Sequence, residues 1–450
     1  MLNLNHSISN NSQVGVLGLG VTGLSVVRYL QNKGIQPLVF DTRSKFDLPG
    51  DLHNLQVVWN ATTLTDYQLD LLVVSPGLSL QSCMIQQVVE RGIPLCSDID
   101  LFFSDLEEPV IGITGTNGKS TVTSLVGHLL KSCYPSVGVG GNLGEAALQL
   151  RQQKFDRYVL ELSSFQIERS SSLPLQAASV LNVTEDHLDK HGDMQVYGAI
   201  KRRIYDHAVI RVVNRQDPQT HTTLDGVVSF GLDAPKDDEW GLQQDAKATW
   251  ICYGRNKLID VEELAVSGKH NLLNVLAACA LVYPQLSLAQ ISQALPSFSG
   301  LSHRYETVAK IDGATFVNDS KATNVGATIA ALSGLQANSQ VVLIAGGEGK
   351  GADFGQLSQV FSGRVVHLVT MGVDAAALEE VAKCVGVTFE RVQTMQEAVD
   401  CAATAAAKLR AQDKLVLLSP ACASLDMFEN FKARGDAFKQ AVANRGGVHG

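Results

Sequence analysis

Residues 110–130 read VIGITGTNGKSTVTSLVGHLL. The apolar run Val110, Ile111 and Ile113 predicts a buried strand, the glycines and threonines after it a tight loop, and 120–131 a helix with Val122, Leu125, Val126, Leu129 and Leu130 on one face. Strand, glycine loop and helix in this order make a phosphate cradle. Glycines let the backbone N–H groups turn inward, the helix N-terminus adds partial positive charge, Lys119 supplies a full charge, and Ser120 offers a hydroxyl to a metal ion. Such a loop, here Gly115, Thr116, Asn117, Gly118, Lys119, Ser120 and Thr121, binds the phosphates of ATP or GTP. The general pattern has a glycine five positions before Gly118, where this chain has Ile113, so TGTNGKS is a narrower variant.

Upstream, VGVLGLGVTGLSVVRYL predicts a strand, the turn Gly18-x-Gly20-x-x-Gly23 and a helix; PLVFDTR then ends a second strand near Asp41, and LDLLVVSPG ends a third at Ser75-Pro76-Gly77. This reads as a small parallel-sheet domain for a nucleotide-like ligand, reaching to about residue 97. Taken alone, the fingerprint would suggest an NAD-dependent oxidoreductase, but that reading leaves TGTNGKST unexplained.

Downstream, three apolar strands each deliver polar groups: SVGVGGNLG gives Asn142, YVLELSSFQIE gives Glu161 and Gln166, and AASVLNVTEDHLDKHG gives Asp186 and His187. If the strands are parallel, these groups gather on the edge that carries the phosphate loop. Ser120 and Glu161 would give magnesium the hard oxygen ligands it prefers. The helix MQVYGAIKRRIYDHA brings Lys201, with Arg202 and Arg203 read as a solvated face. SGKHNLLNVLAACALVYP predicts an apolar helix with Asn271 at its start and Asn274 inside, where a cap does not explain it. PSFSGLSHRYE, rich in proline, serine and glycine, reads as a linker into another alternation of strands and helices. Its strand ends carry NDSKATN, GGEGKGADF and SPACASLDMF.

A chain of 450 residues is too long for one ordinary core and predicts two or three domains. The net charge of −9 argues against a nucleic-acid partner. No apolar run approaches the roughly 20 residues that span a bilayer, and the polar N-terminus lacks a signal peptide's pattern, so a cytoplasmic protein without membrane attachment is expected. Eight cysteines without CxxC pairs fit reduced, mostly buried thiols better than disulfides or a zinc site, with Cys422 the one to watch. Nothing demands an oligomer, and a monomer is expected.

TGTNGKST, LELSSFQIE, LNVTEDHLD, the lysine-bearing helix, GKHNLLN, His303-Arg304, NDSKATN and SPACASLDMF, in this order, resemble the Mur ligase family. The resemblance covers nearly the whole chain apart from the N-terminal tail and residues 233–248, and NDSKATN with SPACASLD favours members that add D-glutamate. It implies an α/β protein of three domains with mostly parallel sheets: 1–97, Rossmann-like, for the UDP substrate; 98–300, a P-loop domain for ATP; and 301–450, Rossmann-like, for the amino acid. The implied reaction is ATP-dependent ligation of D-glutamate to UDP-N-acetylmuramoyl-L-alanine through an acyl phosphate, in peptidoglycan precursor synthesis and hence in cell shape and division.

By the same resemblance Lys119, His187 and Lys201 are catalytic. Ser120 and Glu161 hold one magnesium ion, and His187 with a carbamylated Lys201 is associated with a second. Asn271, Asn274, Arg304, Asp319 and Lys321 face ATP. Val21, Thr22, Asp41, Thr42, Arg43, Ser75, Pro76 and Gly77 hold the UDP portion, with Asn142, Gln166 and His187 nearer the muramoyl end. Thr323, Lys350, Ser424 and Phe431 match positions for D-glutamate. Alternatives are a ligase for another amino acid, a folylpolyglutamate synthase, which the UDP-type first domain argues against, and a P-loop binding module without ligase activity.

Overall fold

The computed structural model describes residues 12–45, 47–186, 188–266, 268–283, 285–336, 338–411 and 413–446. Its first sheet holds β1 (Val14–Leu17), β2 (Leu38–Phe40), β3 (Val57–Val58), β4 (Leu71–Val74) and β5 (Leu95–Cys96), all parallel, in the order β3-β2-β1-β4-β5. β1 and β4 are buried at every residue, as strands covered on both faces must be, which is why they read as unbroken apolar runs. Strand order reverses between β1 and β4, so the loops after them open a crevice at the carboxyl edge. The two-residue strands β3 and β5 are too short for a periodic signal and escaped the sequence reading.

The second sheet runs β6 (Val110–Thr114), β7 (Val137–Gly141), β8 (Arg157–Glu161), β9 (Ala177–Val180), β10 (Ile210–Asn214), β11 (Val227–Phe230), β12 (Trp240–Gln244), β13 (Thr249–Tyr253) and β14 (Asn256–Asp260). The order is β14-β13-β12-β11-β10-β9-β6-β8-β7, parallel except for the antiparallel β12–β14 meander. β6 therefore lies between β8 and β9, and the loops after all three share one edge. The predicted phosphate-loop helix spans Lys119–Lys131 and buries all five residues of its expected apolar face. A single hydrophobic core joins the first two sheets, with Val14, Val26 and Leu30 packed in one cluster with Val110, Tyr158 and Ile204.

The third sheet holds β15 (Glu306–Ile311), β16 (Ala314–Asn318), β17 (Gln340–Gly346), β18 (Val365–Met371), β19 (Thr388–Arg391) and β20 (Lys414–Leu418) in the order β15-β16-β20-β17-β18-β19. All pairs are parallel except β15–β16, a hairpin closed by Asp312-Gly313, both at positive φ. The presumed linker thus leads directly into a strand, and the Asp-Gly turn was the overlooked signal. Compactness divides the chain into two units, one carrying the first two sheets and the other the third.

Arg202 and Arg203 depart from the expected solvated face: both are half-buried, with Arg202 donating to the Gln219 carbonyl and Arg203 to those of Glu168 and Ser170. The cysteines are free, but Cys83, Cys133 and Cys384 are exposed rather than buried. Among the described residues, no helix is long and apolar enough to cross a membrane.

Candidate active site

The phosphate loop leaves β6 through Gly115 and reaches its helix through Gly118, whose φ of 83° is left-handed. A side chain at Gly118 would also bring Cβ to 2.4 Å from Asn274 Oδ1, which gives the internal Asn274 its reason: it packs on the loop. Asn182, just beyond β9, fixes the other side. Its side chain accepts from Asn117 N at 2.8 Å and donates to Asn117 O at 3.0 Å, while its carbonyl takes Thr116 N. Nothing within LNVTEDHLD marks this asparagine out, because its partner Asn117 is 65 residues away.

Three charged side chains meet the loop. Lys119 Nζ folds back to the carbonyls of Gly115 (2.9 Å) and Thr116 (2.8 Å). Lys201, 1% exposed, donates to the Gly115 carbonyl at 3.0 Å, with Nζ 4.5 Å from the centre of the Tyr197 ring. Glu161, at the end of β8, accepts from Ser120 Oγ (2.6 Å) and from Asn142 Nδ2 (2.9 Å). A hydroxyl and a carboxylate in contact beside a glycine loop are the hard oxygen donors magnesium takes, so the residues present fit that ion. His187 lies outside the described residues.

In the first sheet, a cavity of about 290 Å³ opens at the crevice between the loops after β1 and β4. All eight residues assigned to the UDP portion line it, together with Gly18, Leu19, Gly20 and Leu78. Asp41 is buried and its carboxylate is already engaged: Leu19 N donates to it at 2.8 Å, and Arg43 through both its backbone and its guanidinium. Burial would raise its pKa, but the Arg43 and Leu19 hydrogen bonds prevail and hold it at about 2. Asp41 thus positions Arg43 and the glycine loop instead of offering an open acid to a ribose. Gln166 is likewise engaged, as the third residue of a capping box with Ser163 and as donor to Asp98 at 3.2 Å. Burial pushes Asp98 up to about 6 against the Gln166 hydrogen bond.

At the third sheet, NDSKATN, GGEGKGADF and SPACASLDMF follow the adjacent strands β16, β17 and β20. Asp319, half-buried, accepts from Ser419 Oγ (2.9 Å) and Tyr305 N (3.2 Å); desolvation outweighs these and the nearby Arg304 charge, raising its pKa to about 7. Lys321 Nζ stands 4.3 Å from the centre of the Phe431 ring, so a residue assigned to ATP and one assigned to D-glutamate share a spot. Thr323 N bonds the Lys321 carbonyl, Ser424 is buried, and Lys350 is exposed at a left-handed φ of 54°. Asn271 is buried and belongs to this same unit, whereas Asn274 belongs to the phosphate-loop unit.

Arg434 was missed altogether. It is 2% exposed, on the helix Phe431–Asn444, and donates to Ser320 Oγ and to the carbonyls of Ser320, Gly346, Cys422 and Ala423. One guanidinium thereby ties together the loops after all three strands. No local pattern could have announced it, because a buried arginine looks like any helix-surface arginine in sequence.

Three family descriptions match along the chain: "Mur ligase MurD-like, N-terminal domain" at residues 12–97, "Mur ligase middle domain" at 113–282 and "Mur ligase, glutamate ligase domain" at 303–422. The chain is 44% identical over 444 residues to UDP-N-acetylmuramoylalanine–D-glutamate ligase of Shewanella oneidensis, covering 95% of this chain and 97% of that protein. It is 43% identical to the ligase of the same name from Vibrio parahaemolyticus, over 95% and 97%. In fold it is similar to a pseudomurein peptide ligase type C of Methanothermus fervidus (TM-score 0.61, 17% identity, 96% and 100% covered). It is also similar to UDP-N-acetylmuramate-alanine ligase of Thermotoga maritima (TM-score 0.59, 17% identity, 97% and 100% covered). This chain therefore belongs to the Mur ligase family, the ATP-dependent amide ligases.

Proposed function

We propose that this chain ligates D-glutamate to the alanyl carboxylate of UDP-N-acetylmuramoyl-L-alanine, with ATP converted to ADP and phosphate. The observation that carries the reaction type is the convergence of Lys119, Glu161 and Lys201 on the phosphate loop. The identity of the amino acid rests on the names of the relatives at 43–44% identity.

A carboxylate becomes an electrophile only when its oxygen becomes a leaving group. The substrate carboxylate attacks the γ-phosphorus, the bond to the ADP oxygen breaks, and an acyl phosphate forms. The amine of D-glutamate then attacks the acyl carbon, and inorganic phosphate leaves as the amide closes. Two anions must meet in the first step, so positioned cations do most of the work. Lys119 neutralises the transferring phosphoryl group. Ser120 and Glu161 would hold one magnesium ion, and His187 with a carbamylated Lys201 would be associated with a second, the carbamate replacing an ammonium, which cannot ligate a cation, by a carboxylate; the ions would supply positive charge against the two anions.

The division of labour follows the order of the sheets. Residues 1–97 hold the UDP portion through the cavity-lining set, with Asn142, Gln166 and His187 toward the muramoyl end. Residues 98–300 bind ATP through the phosphate loop and Asn274, joined by Asn271, Arg304, Asp319 and Lys321. Residues 301–450 take D-glutamate through Thr323, Lys350, Ser424 and Phe431, whose cation and hydroxyls suit a dicarboxylate. The enzyme works in the cytoplasm as a monomer on small-molecule substrates, without nucleic acid or membrane.

Phosphate release from ATP with magnesium and UDP-N-acetylmuramoyl-L-alanine tests the reading, comparing D-glutamate with L-glutamate, D-alanine, L-lysine and no amino acid. Stimulation by D-glutamate alone is expected; stimulation by another amino acid would reassign the third sheet. Lys201→Ala should lose activity and recover part of it with added short carboxylates, whereas no recovery would count against the carbamate.

A further inference from the structure

A second cluster of ligand-type side chains lies in the third-sheet unit, on residues that the proposed reaction does not use. His367 is the third residue of β18 and pairs in register with Thr388 of β19. Glu390, two residues after Thr388, projects from the same face. Cys401 comes from the helix Met395–Ala407, one residue outside its buried stripe of Ala398, Ala402 and Ala403. One imidazole nitrogen, a Glu390 carboxylate oxygen and the Cys401 sulfur all lie within 4.8 Å of one another. The sulfur is 3.2 Å from Glu390 Oε2 and 3.8 Å from His367 Nε2.

We propose that His367, Glu390 and Cys401 form a binding site for a borderline-soft divalent cation, zinc foremost. Metal–ligand bonds of roughly 2.0–2.3 Å at tetrahedral angles put neighbouring ligand atoms roughly 3.5 Å apart. The two distances from the sulfur bracket that value, so little movement is needed to admit an ion. The histidine is set for ligation as well. Thr388 Oγ1 stands 2.8 Å from His367 Nδ1 and 3.2 Å from the Val366 carbonyl, so it can accept from Nδ1 while donating to that carbonyl. That arrangement leaves the lone pair of Nε2 toward the sulfur, and is the outer hydrogen bond that orients metal-binding imidazoles. His367 and Cys401 are half-buried and Glu390 is exposed, which leaves solvent access and a fourth position for water.

On binding, the Cys401 S–H bond breaks, its proton passes to solvent, and sulfur–metal, nitrogen–metal and oxygen–metal bonds form. Thiolate, carboxylate and a divalent ion sum to zero charge. A thiolate in the set selects against magnesium, the ion of the phosphate loop. The absence of CxxC spacing, which argued against zinc, says nothing here because the ligands come from three separate elements.

The metal-stripped full chain would be titrated with cobalt(II) as a spectroscopic stand-in, then with zinc. One equivalent of cobalt should bring a near-ultraviolet thiolate-to-metal charge-transfer band and visible bands of four-coordinate intensity, bleached by zinc and not by excess magnesium. Cys401→Ser should abolish the charge-transfer band, and His367→Ala and Thr388→Val should each weaken cobalt binding by about tenfold or more. Magnesium-dependent phosphate release should be unchanged in Cys401→Ser, which establishes that this variant is folded. A wild-type chain without the band, or a band that persists in Cys401→Ser, would overturn the site.

Discussion

Glu161 has its two carboxylate oxygens on different partners, the Ser120 hydroxyl and the Asn142 amide, and is 3% exposed. Its placement at the end of β8 therefore fixes both position and orientation. Glu161→Gln keeps the shape and removes the charge, and should lower ATP turnover on the order of a hundredfold or more, measured as phosphate release across a magnesium series. Asp319 supports a different prediction. Its native pKa of about 7 stands above the ordinary 3.8, so between those values the folded state keeps a proton that the unfolded state has released. Stability from this group is complete below about pH 4 and falls as pH rises toward 7. In Asp319→Asn that decline should vanish, which urea midpoints at pH 5 and pH 8 would detect; an unchanged difference between the two midpoints would refute it. At this scale, Lys119, Ser120 and Glu161 were legible in the sequence because each follows a strand or glycine turn directly, whereas Lys201, late on the helix Met194–Arg202, stood out only through the family resemblance. Asn182 and Asp98 were not legible, since their importance comes from hydrogen bonds to Asn117, 65 residues away, and to Gln166, 68 residues away.

The helix Val21–Asn32 packs so closely on the turn after β1 that a Cβ at Gly23 would fall 1.8 Å from the Gly18 carbonyl oxygen. Backbone lies on both sides of that contact, so it cannot yield cheaply. Gly23→Ala should cost about 3 kcal/mol by denaturant unfolding and disturb the crevice between β1 and β4. The helix Phe431–Asn444 matters to the third sheet through Arg434. Arg434→Met would leave buried carbonyls of three loops without their donor, for a loss of about 3 kcal/mol or more, and raise the KM for the amino acid. Arg434→Lys should not rescue, because one ammonium cannot reproduce the planar fork. Restoration of both stability and KM by lysine would show that charge alone suffices. Long strands such as β17 and β18 announced themselves by composition, whereas β3, β5 and the β15–β16 hairpin did not. A strand of two residues has no period, and a hairpin beside a proline- and serine-rich stretch resembles a loop.

Each compact unit has hydrophobic clusters of its own, such as that around Val26 and Tyr158 in one and that around Leu343 and Leu368 in the other. Separate cores predict heat unfolding that is not a single two-state transition, with a van't Hoff enthalpy below the calorimetric one. Gly23→Ala should shift only the transition of the first unit and Arg434→Met only that of the second; a single transition moved equally by both variants would contradict this. The amino-acid sequence on its own determined the phosphate loop, the three α/β sheets and the polar groups at their strand ends. Glycine conformations, strand runs and helix starts are local properties of the chain. Tertiary structure alone decided that Asp41 serves Arg43 and the glycine loop, that Arg434 binds three loops, and that His367, Glu390 and Cys401 meet. Those roles arise when burial removes water from polar groups and leaves only partners that are distant along the chain to satisfy them.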